Sequence, residues 1–286
     1  MVNYMNKKNV LFFLFCALAV LMSYSPVRAL YSSDKSEYYS HIALIPLVTI
    51  YLIFQNRKEI FARQNYSFFK GIIFLLIGVA LYIFGKIIGV QLEKNDFASI
   101  IMLSVVIFIN GAFILFYGLQ AFKAALFPLL FLIFVIPIPA VAMDHIINFL
   151  QVGSTEFTNL LFTISGVPFV RDGFVFNLPN VSIEVAKQCS GIRSGLALFI
   201  TALLAGHLFL KSNWRKFILV LCSIPIAMFK NGIRIATLSL LGNYVDPRIL
   251  SSSLHKDGGI PFFILGLALM APILFFLRKT ERQRKK

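Results

Sequence analysis

Charged residues are scarce in this chain: they make up 14% of its 286 residues, whereas hydrophobic residues make up 58%. A soluble domain could not hide that much apolar surface, so an integral membrane protein is the first interpretation. The formal charge of +15 would suggest a nucleic-acid partner in a soluble protein. Here the cations stand in short clusters between apolar runs, the pattern by which membrane proteins fix their orientation, so we expect no nucleic-acid partner.

Several patterns that accompany known chemistry are also missing. The sequence has no glycine-rich phosphate motif, and its outer histidines and its cysteines show no paired ligand spacing such as HExxH or CxxC, so we expect neither a metal nor another cofactor. Cysteine itself is rare. Cys16 and Cys222 lie inside apolar runs, out of reach of Cys189 for a disulfide. No long linker, low-complexity tract or internal repeat is evident, and we expect one domain over residues 1–286.

Long apolar runs dominate the chain. A helix needs about 20 residues to cross the ~30 Å hydrocarbon core of a bilayer. We identify eight runs of this kind: 9–27, 38–54, 71–90, 98–117, 124–142, 190–210, 216–238 and 260–278. The fifth run holds Pro128, Pro137 and Pro139, so it is expected to be kinked. The pattern predicts an all-α polytopic membrane protein with about eight transmembrane helices.

Lysine and arginine concentrate in alternate loops. They occur near the N-terminus, after the second and fourth runs, in "KSNWRK" after the sixth run and in the C-terminal "RKTERQRKK". With eight spans these segments share one side, which the positive-inside rule assigns to the cytoplasm. The prediction is a multi-pass protein of the cell membrane with both termini cytoplasmic. The first run also resembles a signal peptide with a cleavage site at Val27-Arg28-Ala29; we favour its retention, and cleavage would leave the later spans oriented as before.

The longest segment outside these runs, 143–189, falls on the extracytoplasmic side. Apolar residues of its first half lie near one helical face: Ile146, Leu150, Phe157, Leu161 and Ile164. This spacing suits a helix lying at the membrane interface. The second half is β-branched and aromatic around Asp172-Gly173, which is a hairpin signal. We expect a small extracytoplasmic cap built from an interfacial helix and a β-hairpin.

Cys189 lies at the outer mouth of the sixth run, within "EVAKQCSGIRSG", which also contains Glu184. A lone thiol on the oxidising side of a membrane is a liability unless it has a use. Arg193 follows four residues later on the same helical face, and an intramembrane arginine usually points at a partner or a cavity. These neighbours favour a functional role for the cysteine over an inert one.

Two later segments reach the same side of the membrane. The seventh run starts at the cytoplasmic "WRK", so its other end, "FKNGIRIATL", brings Lys230, Asn231 and Arg234 outside. The loop before the eighth run brings His255 there. A cation lowers the pKa of a neighbouring thiol, a histidine can take its proton, and an arginine can stabilise an oxyanion. Cys189, Arg234 and His255 therefore form a credible acyl-transfer site.

Other roles remain open for several of these residues. Arg193 and Arg234 could be structural cations that reach lipid phosphates or pair with a carboxylate. The carboxylates in question are Glu184, Asp246 and Asp257. His145 could replace His255 as the base, and His41 is a weaker rival, whereas His207 is expected near the cytoplasmic end of the sixth run.

Three blocks taken together, "EVAKQCSGIRSG", "FKNGIRIATL" and "SLHKDGG", resemble the signature of the exosortase/archaeosortase family of integral membrane cysteine transpeptidases. They lie within residues 184–260, and the first 140 residues resemble the family only as a set of hydrophobic spans. Carried over by motif, the proposed nucleophile is Cys189, completed by Arg234 and His255. Glu184, Arg193, Lys230 and Asn231 are then supporting or substrate-binding residues.

The resemblance implies a sorting enzyme. Substrates of such enzymes are secreted proteins with a C-terminal tail made of a short motif (Pro-Glu-Pro-like in one large branch), a transmembrane helix and a basic cluster. The thiolate would attack the peptide carbonyl at the motif to give a thioester, which an amine of a lipid or glycan, or water, would resolve. A glutamate in the motif would give Arg193, Lys187 or Lys230 something to bind. The active site would be extracytoplasmic.

Two other classes of function fit the composition. A transporter or channel could line an anion path with Arg193, Lys230 and Arg234, and its flux would survive loss of the thiol. A non-catalytic scaffold for export of an envelope polymer would be indifferent to loss of Cys189. Both predict that a Cys189→Ala variant keeps its function, whereas the thiol enzyme would lose it.

Overall fold

The computed structural model describes residues 2–31, 39–62, 67–251 and 259–283, most of them helical. The chain divides into two compact units, Met1–Met143 and Asp144–Lys286. Helices in the first unit are α1 Val2–Tyr31, α2 Leu44–Gln55, α3 Arg57–Ile60, α4 Phe68–Ile88, α5 Lys94–Ala124 and α6 Leu126–Phe131, which continues as a 3₁₀ turn, Leu132–Val135. Helix α7, Ala140–Ser165, carries the chain into the second unit.

The second unit contains a small sheet followed by three long helices. Its strands are β1 Val170–Asp172, β2 Val175–Asn177 and β3 Ser182–Glu184. Its helices are α8 Ile192–Phe209, α9 Asn213–Tyr244 and α10 Gly259–Gln283, with a 3₁₀ turn at Lys187–Cys189 before α8 and another at Pro247–Ser251 after α9.

Six helices in the described ranges are long and apolar enough to cross a membrane, or up to seven if a bent pair counts as one span. They match six of the eight predicted runs: Lys7–Arg28, Phe68–Ile88, Lys94–Ala124, Lys187–Phe209, Asn213–Tyr244 and Gly259–Glu281. The chain is thus a multi-pass helical protein, but the count of eight is not reproduced. In the second predicted run the helix α2 has 12 residues, which rise only about 18 Å and fall short of a bilayer core.

The predicted kink in the fifth run is confirmed. The helical segments Leu126–Val135 and Ala140–Ser165 are separated by a bend of 90° and pass the length and composition test for a membrane span only as a pair. Pro137 and Pro139 lie in this break. Proline lacks the N–H that a continuous helix needs, so the hydrogen-bond ladder is interrupted here.

In the first unit, α4 packs closely on α5 through glycines at seven-residue spacing. Gly71, Gly78 and Gly85 are the buried residues of α4. A Cβ on Gly71 would lie 2.6 Å from the Cα of Leu115, and one on Gly78 would meet the backbone of Phe108. Small residues let the backbones of membrane helices approach, so this seam sets the pairing of the two helices.

In the second unit, α8, α9 and α10 share an apolar core that includes Leu198, Leu219 and Met270. Basic segments meet at one end of this bundle. The carboxylate of Glu281, near the end of α10, accepts hydrogen bonds from the main-chain N–H groups of Lys211 (3.0 Å) and Ser212 (2.6 Å) and lies 3.6 Å from Arg215. The turn between α8 and α9 is therefore tied to the C-terminal helix.

Helix α7 runs alongside α9 in the same direction. Gly153 faces Met228, and a Cβ on Gly232 would lie 2.7 Å from the Cβ of Phe157. Further along, Phe162 packs in one cluster with Ile235 and Ala236. The two glycines allow the close approach of the helices.

The burial of side chains on α7 bears on the interfacial helix predicted for this segment. Its exposed side chains include large apolar residues: Ile146, Phe149, Val152, Leu160 and Ile164. Its buried side chains include four polar ones at helical spacing: Gln151, Ser154, Thr155 and Thr158. Asp144, His145, Asn148 and Glu156 are exposed as well, so the outer surface of α7 is mixed, and the interfacial position of this helix stays a prediction.

The strands form an antiparallel sheet in the order β1-β2-β3. The first two flank the Gly173 turn, with Asp172 paired to Val175. Phe176 and Val185 from this region pack on Phe162 of α7 and Ile235 of α9, so the sheet lies against these two helices. Its position relative to the membrane remains a prediction.

Candidate active site

The segment that contains Cys189 links the sheet to a membrane-spanning helix. After β3 the chain forms the 3₁₀ turn Lys187–Cys189, in which the Cys189 N–H donates to the Ala186 carbonyl at 2.8 Å. Gly191 then precedes α8 with φ +76°, in the left-handed region that favours glycine. A Cβ on Gly191 would also lie 2.7 Å from Oδ1 of Asn231. Glycine is therefore required here by both its conformation and its space.

Two buried carboxamides hold the ends of this segment. Nδ2 of Asn231 on α9 donates to the Cys189 carbonyl at 2.8 Å and to Oγ of Ser154 at 3.0 Å. Nε2 of Gln151 on α7 donates to the Val185 carbonyl at 2.6 Å. Asn231 is 1% exposed and Gln151 5% exposed. Buried amides bonded to main-chain carbonyls specify position strongly, so α7 and α9 together fix the turn that carries the thiol.

Cys189, Glu184 and Arg234 line one small pocket together with four other residues: Ile183, Ile235, Leu238 and Ser239. Its volume of about 30 Å³ is space for about one water molecule. Arg234 and Glu184 are the charged side chains that act electrostatically on the half-buried thiol. Burial opposes the thiolate most strongly, the guanidinium of Arg234 favours it, and the carboxylate of Glu184 opposes it.

Lys230 and Arg193 lie outside this pocket lining. Lys230 is 1% exposed, and its amine donates a hydrogen bond to Oγ of Ser194 between α9 and α8. Arg193 is exposed on the first turn of α8. The structure therefore separates the four residues predicted to support the site. Glu184 lines the pocket and Asn231 donates to the Cys189 carbonyl, whereas Lys230 and Arg193 do not line the pocket.

The histidines considered as the base differ in their position relative to the pocket. His255 lies outside the described residues, so its role as acid and base stays a prediction. His145, the alternative base, is exposed on α7 and does not line the pocket. His207 lies in the last turn of α8, at the end opposite Cys189 as expected.

Sequence reasoning missed Gln151 and Ser154. The prediction for 143–165 used its apolar residues alone. Polar residues recur on the same helix at spacing i, i+3, i+4 and i+7: Gln151, Ser154, Thr155 and Thr158. Such a stripe in an apolar chain signals a buried polar contact, because lipid offers no hydrogen-bond partner.

Replacing Asn231 with alanine is expected to destabilise the second unit. The Cys189 carbonyl would lose a buried donor, which costs about 1–3 kcal/mol. Thermal unfolding of the detergent-solubilised protein measures the change. Asn159→Ala is the matched control, since this partly exposed asparagine of the same unit donates no described side-chain hydrogen bond, and its effect should stay within about 0.5 kcal/mol. Equal losses for both variants would contradict a stabilising role for the hydrogen bond from Asn231 to the Cys189 carbonyl.

Comparison with known proteins bears on the family of the chain. The family model described as transmembrane exosortase matches residues 31–272, which include every residue of the pocket. No curated protein and no solved structure matches the chain. The family match covers most of the chain and extends well beyond the three motif blocks. The chain therefore belongs to the transmembrane exosortase family.

Proposed function

We propose that this protein is a membrane-embedded cysteine transpeptidase or endopeptidase that cleaves the C-terminal sorting tail of secreted proteins. The proposal rests on one observation above all: Cys189 shares a pocket with Arg234, a cation suited to an acyl-transfer transition state. Membership of the exosortase family supports a sorting role at the membrane.

The first chemical step is attack of the Cys189 thiolate on the carbonyl carbon of the scissile peptide bond. The carbonyl oxygen takes the electron pair of its π bond, and the guanidinium of Arg234 stabilises that oxyanion. Collapse of the intermediate breaks the C–N bond. The leaving amine, which carries the transmembrane tail, accepts a proton from the group that took the thiol proton, a role proposed for His255.

The second step resolves the thioester. An amine acceptor attacks the acyl carbon, the Cys189 thiolate leaves, and the acceptor nitrogen loses its extra proton to the base. Water in place of the amine gives simple hydrolysis. A lipid or glycan amine is the acceptor class that suits a membrane-bound sorting enzyme.

The distribution of charge in the second unit supports the proposed orientation. Lys211 lies in the turn between α8 and α9, and Arg215 and Lys216 lie at the start of α9. Glu281 joins this region to the basic end of α10. Cys189 precedes the opposite end of α8, whose 18 residues rise about 27 Å. The positive-inside rule assigns the basic end to the cytoplasm, which supports an extracytoplasmic pocket and a cytoplasmic C-terminus.

The substrate tail would cross the bilayer beside the protein, with its short motif at the pocket. Of the cations suggested for a glutamate in that motif, Lys187 and Arg193 are exposed and Lys230 is buried. We therefore assign carboxylate recognition to Lys187 and Arg193, and a structural contact with Ser194 to Lys230.

Trapping the acyl-enzyme tests the proposal. After rapid acid quenching of the enzyme with a substrate that carries a tripartite tail, the N-terminal part of the substrate is expected on the Cys189 peptide by mass spectrometry. Hydroxylamine should release it, since a thioester reacts with this amine. Cys222 in the same sample is the control and should stay unmodified. Complete cleavage without an adduct at Cys189 would contradict the mechanism.

A further inference from the structure

Strand β3 forms one edge of the sheet. It pairs with β2 on one side, and within the described ranges no strand pairs with its other side. Its hydrogen bonds to the neighbouring strand continue at both ends: the Leu178 N–H donates to the Val181 carbonyl, and the Val185 N–H donates to the Phe174 carbonyl, each at 2.9 Å.

This register decides which main-chain groups face outward. In an antiparallel pair, hydrogen-bonded and non-hydrogen-bonded residue pairs alternate. Since Val181 and Val185 bond to β2, Ile183 between them does so too. Ser182 and Glu184 are the alternate residues, opposite Asn177 and Val175, so their N–H and C=O groups point away from β2.

The outward edge adjoins the nucleophile. Ile183 and Glu184 line the same pocket as Cys189 and Arg234. Ser182 and Glu184 are exposed, whereas Ile183 packs against the core cluster that includes Phe176 and Ile235. An extended chain laid along this edge would bond to Ser182 and Glu184 and then reach the thiol within a few residues.

We propose that the open edge of β3 binds the substrate motif as an added β-strand and so delivers the scissile carbonyl to Cys189. The proposal rests on the function proposed above for Cys189. Strand addition uses main-chain hydrogen bonds for affinity and leaves side-chain pockets to set specificity. The occupant is an extended peptide rather than a second copy of this chain, because an edge of three residues beside a nucleophile offers a template only for a short segment.

Disulfide mapping tests the strand directly. Ser182→Cys is placed in a Cys16→Ala, Cys189→Ala, Cys222→Ala background, in which the bound substrate is not consumed. Single cysteines are then scanned through the substrate motif. Because successive side chains of a strand point to opposite faces, crosslinks are expected at alternate substrate positions. Crosslinks at every position, at helical spacing or at none would overturn the proposal.

A kinetic comparison isolates the main-chain donor. Ser182→Pro removes the outward N–H, which an edge strand tolerates, whereas Ser182→Ala keeps it. Both variants lose the hydroxyl bond to Asn177, which makes them matched. The proline variant is expected to process substrate about tenfold more slowly at limiting substrate, the loss typical of one hydrogen bond. The alanine variant is the reference for this loss, and equal rates for the two variants would count against the proposal.

Two further measurements distinguish failure of the docking proposal from failure of the proposed function. The rate of Cys189 alkylation by a small thiol reagent should be the same in the proline and alanine variants, which confirms that the site is intact. If a Cys189→Ala variant still processes substrate, the proposed function fails whatever the crosslinks show. If that variant is inactive and no alternating crosslinks form, the docking proposal alone fails.

Discussion

Replacing Cys189 with alanine is expected to lower substrate processing by about 10⁴-fold or more, the scale of loss when the nucleophile of an acyl-transfer site is removed. No thioester can form without the sulfur, and the neighbouring Ser190 is 2% exposed and does not line the pocket. The measurement is the fraction of a co-expressed tailed substrate that is cleaved in membranes. Protein level and membrane insertion of the variant should equal those of the parent.

The other cysteines provide matched controls. Cys16 lies in α1 and Cys222 in α9, and neither lines the pocket. Cys16→Ala and Cys222→Ala should each keep processing within about twofold of the parent, as expected of substitutions away from the site. Full processing by Cys189→Ala would show that Cys189 is not the nucleophile. Anion flux into vesicles that survives this substitution would instead favour a transporter.

Replacing Arg234 with alanine should lower the rate constant for processing by about 10²–10³-fold, the typical effect of losing one oxyanion donor. Arg234→Lys keeps the charge but loses the planar fork of donors, so it should restore activity only partly. Single-turnover cleavage at saturating substrate measures this effect, because a loss in the rate constant marks an interaction made in the transition state.

Arg171 on β1 is the matched control for this variant. Its guanidinium pairs with Glu156 at 2.7 Å and does not line the pocket. Arg171→Ala should change processing by less than about twofold, since ion pairs near the surface contribute little. Equal losses for Arg171→Ala and Arg234→Ala would show that a general change in charge, rather than oxyanion stabilisation, is responsible.

Much of the helical architecture could be predicted from the sequence, because lipid imposes a strong and simple constraint on length and polarity. Six of the predicted runs match long apolar helices, and the prolines at 137 and 139 marked a real break. The length of helix α2 was predicted wrongly. Its run was counted as a span by apolar content, whereas the helix ends at Gln55 after 12 residues.

The candidate site was predictable only in part. The polar residues Cys189 and Arg234 stand out against an apolar background, and the positive-inside rule predicted that they share a side. The carboxamide contacts of Gln151 and Asn231 with main-chain carbonyls could not be predicted in this way. Such contacts depend on how three segments pack, and spacing along the sequence carries no information about main-chain carbonyls on another segment.

The close approach at Gly232 has a consequence for genetic screens of this protein. Any larger side chain there would meet Phe157 and push α7 away from α9. The amide of Asn231, one residue earlier, would then lose Ser154, and Gln151 of α7 would lose the Val185 carbonyl, so the segment that carries Cys189 would lose support. A selection for inactive alleles should therefore recover substitutions at Gly232 alongside those at reactive residues. The defect at Gly232 would come from altered packing of α7 and α9 rather than from loss of a reactive group.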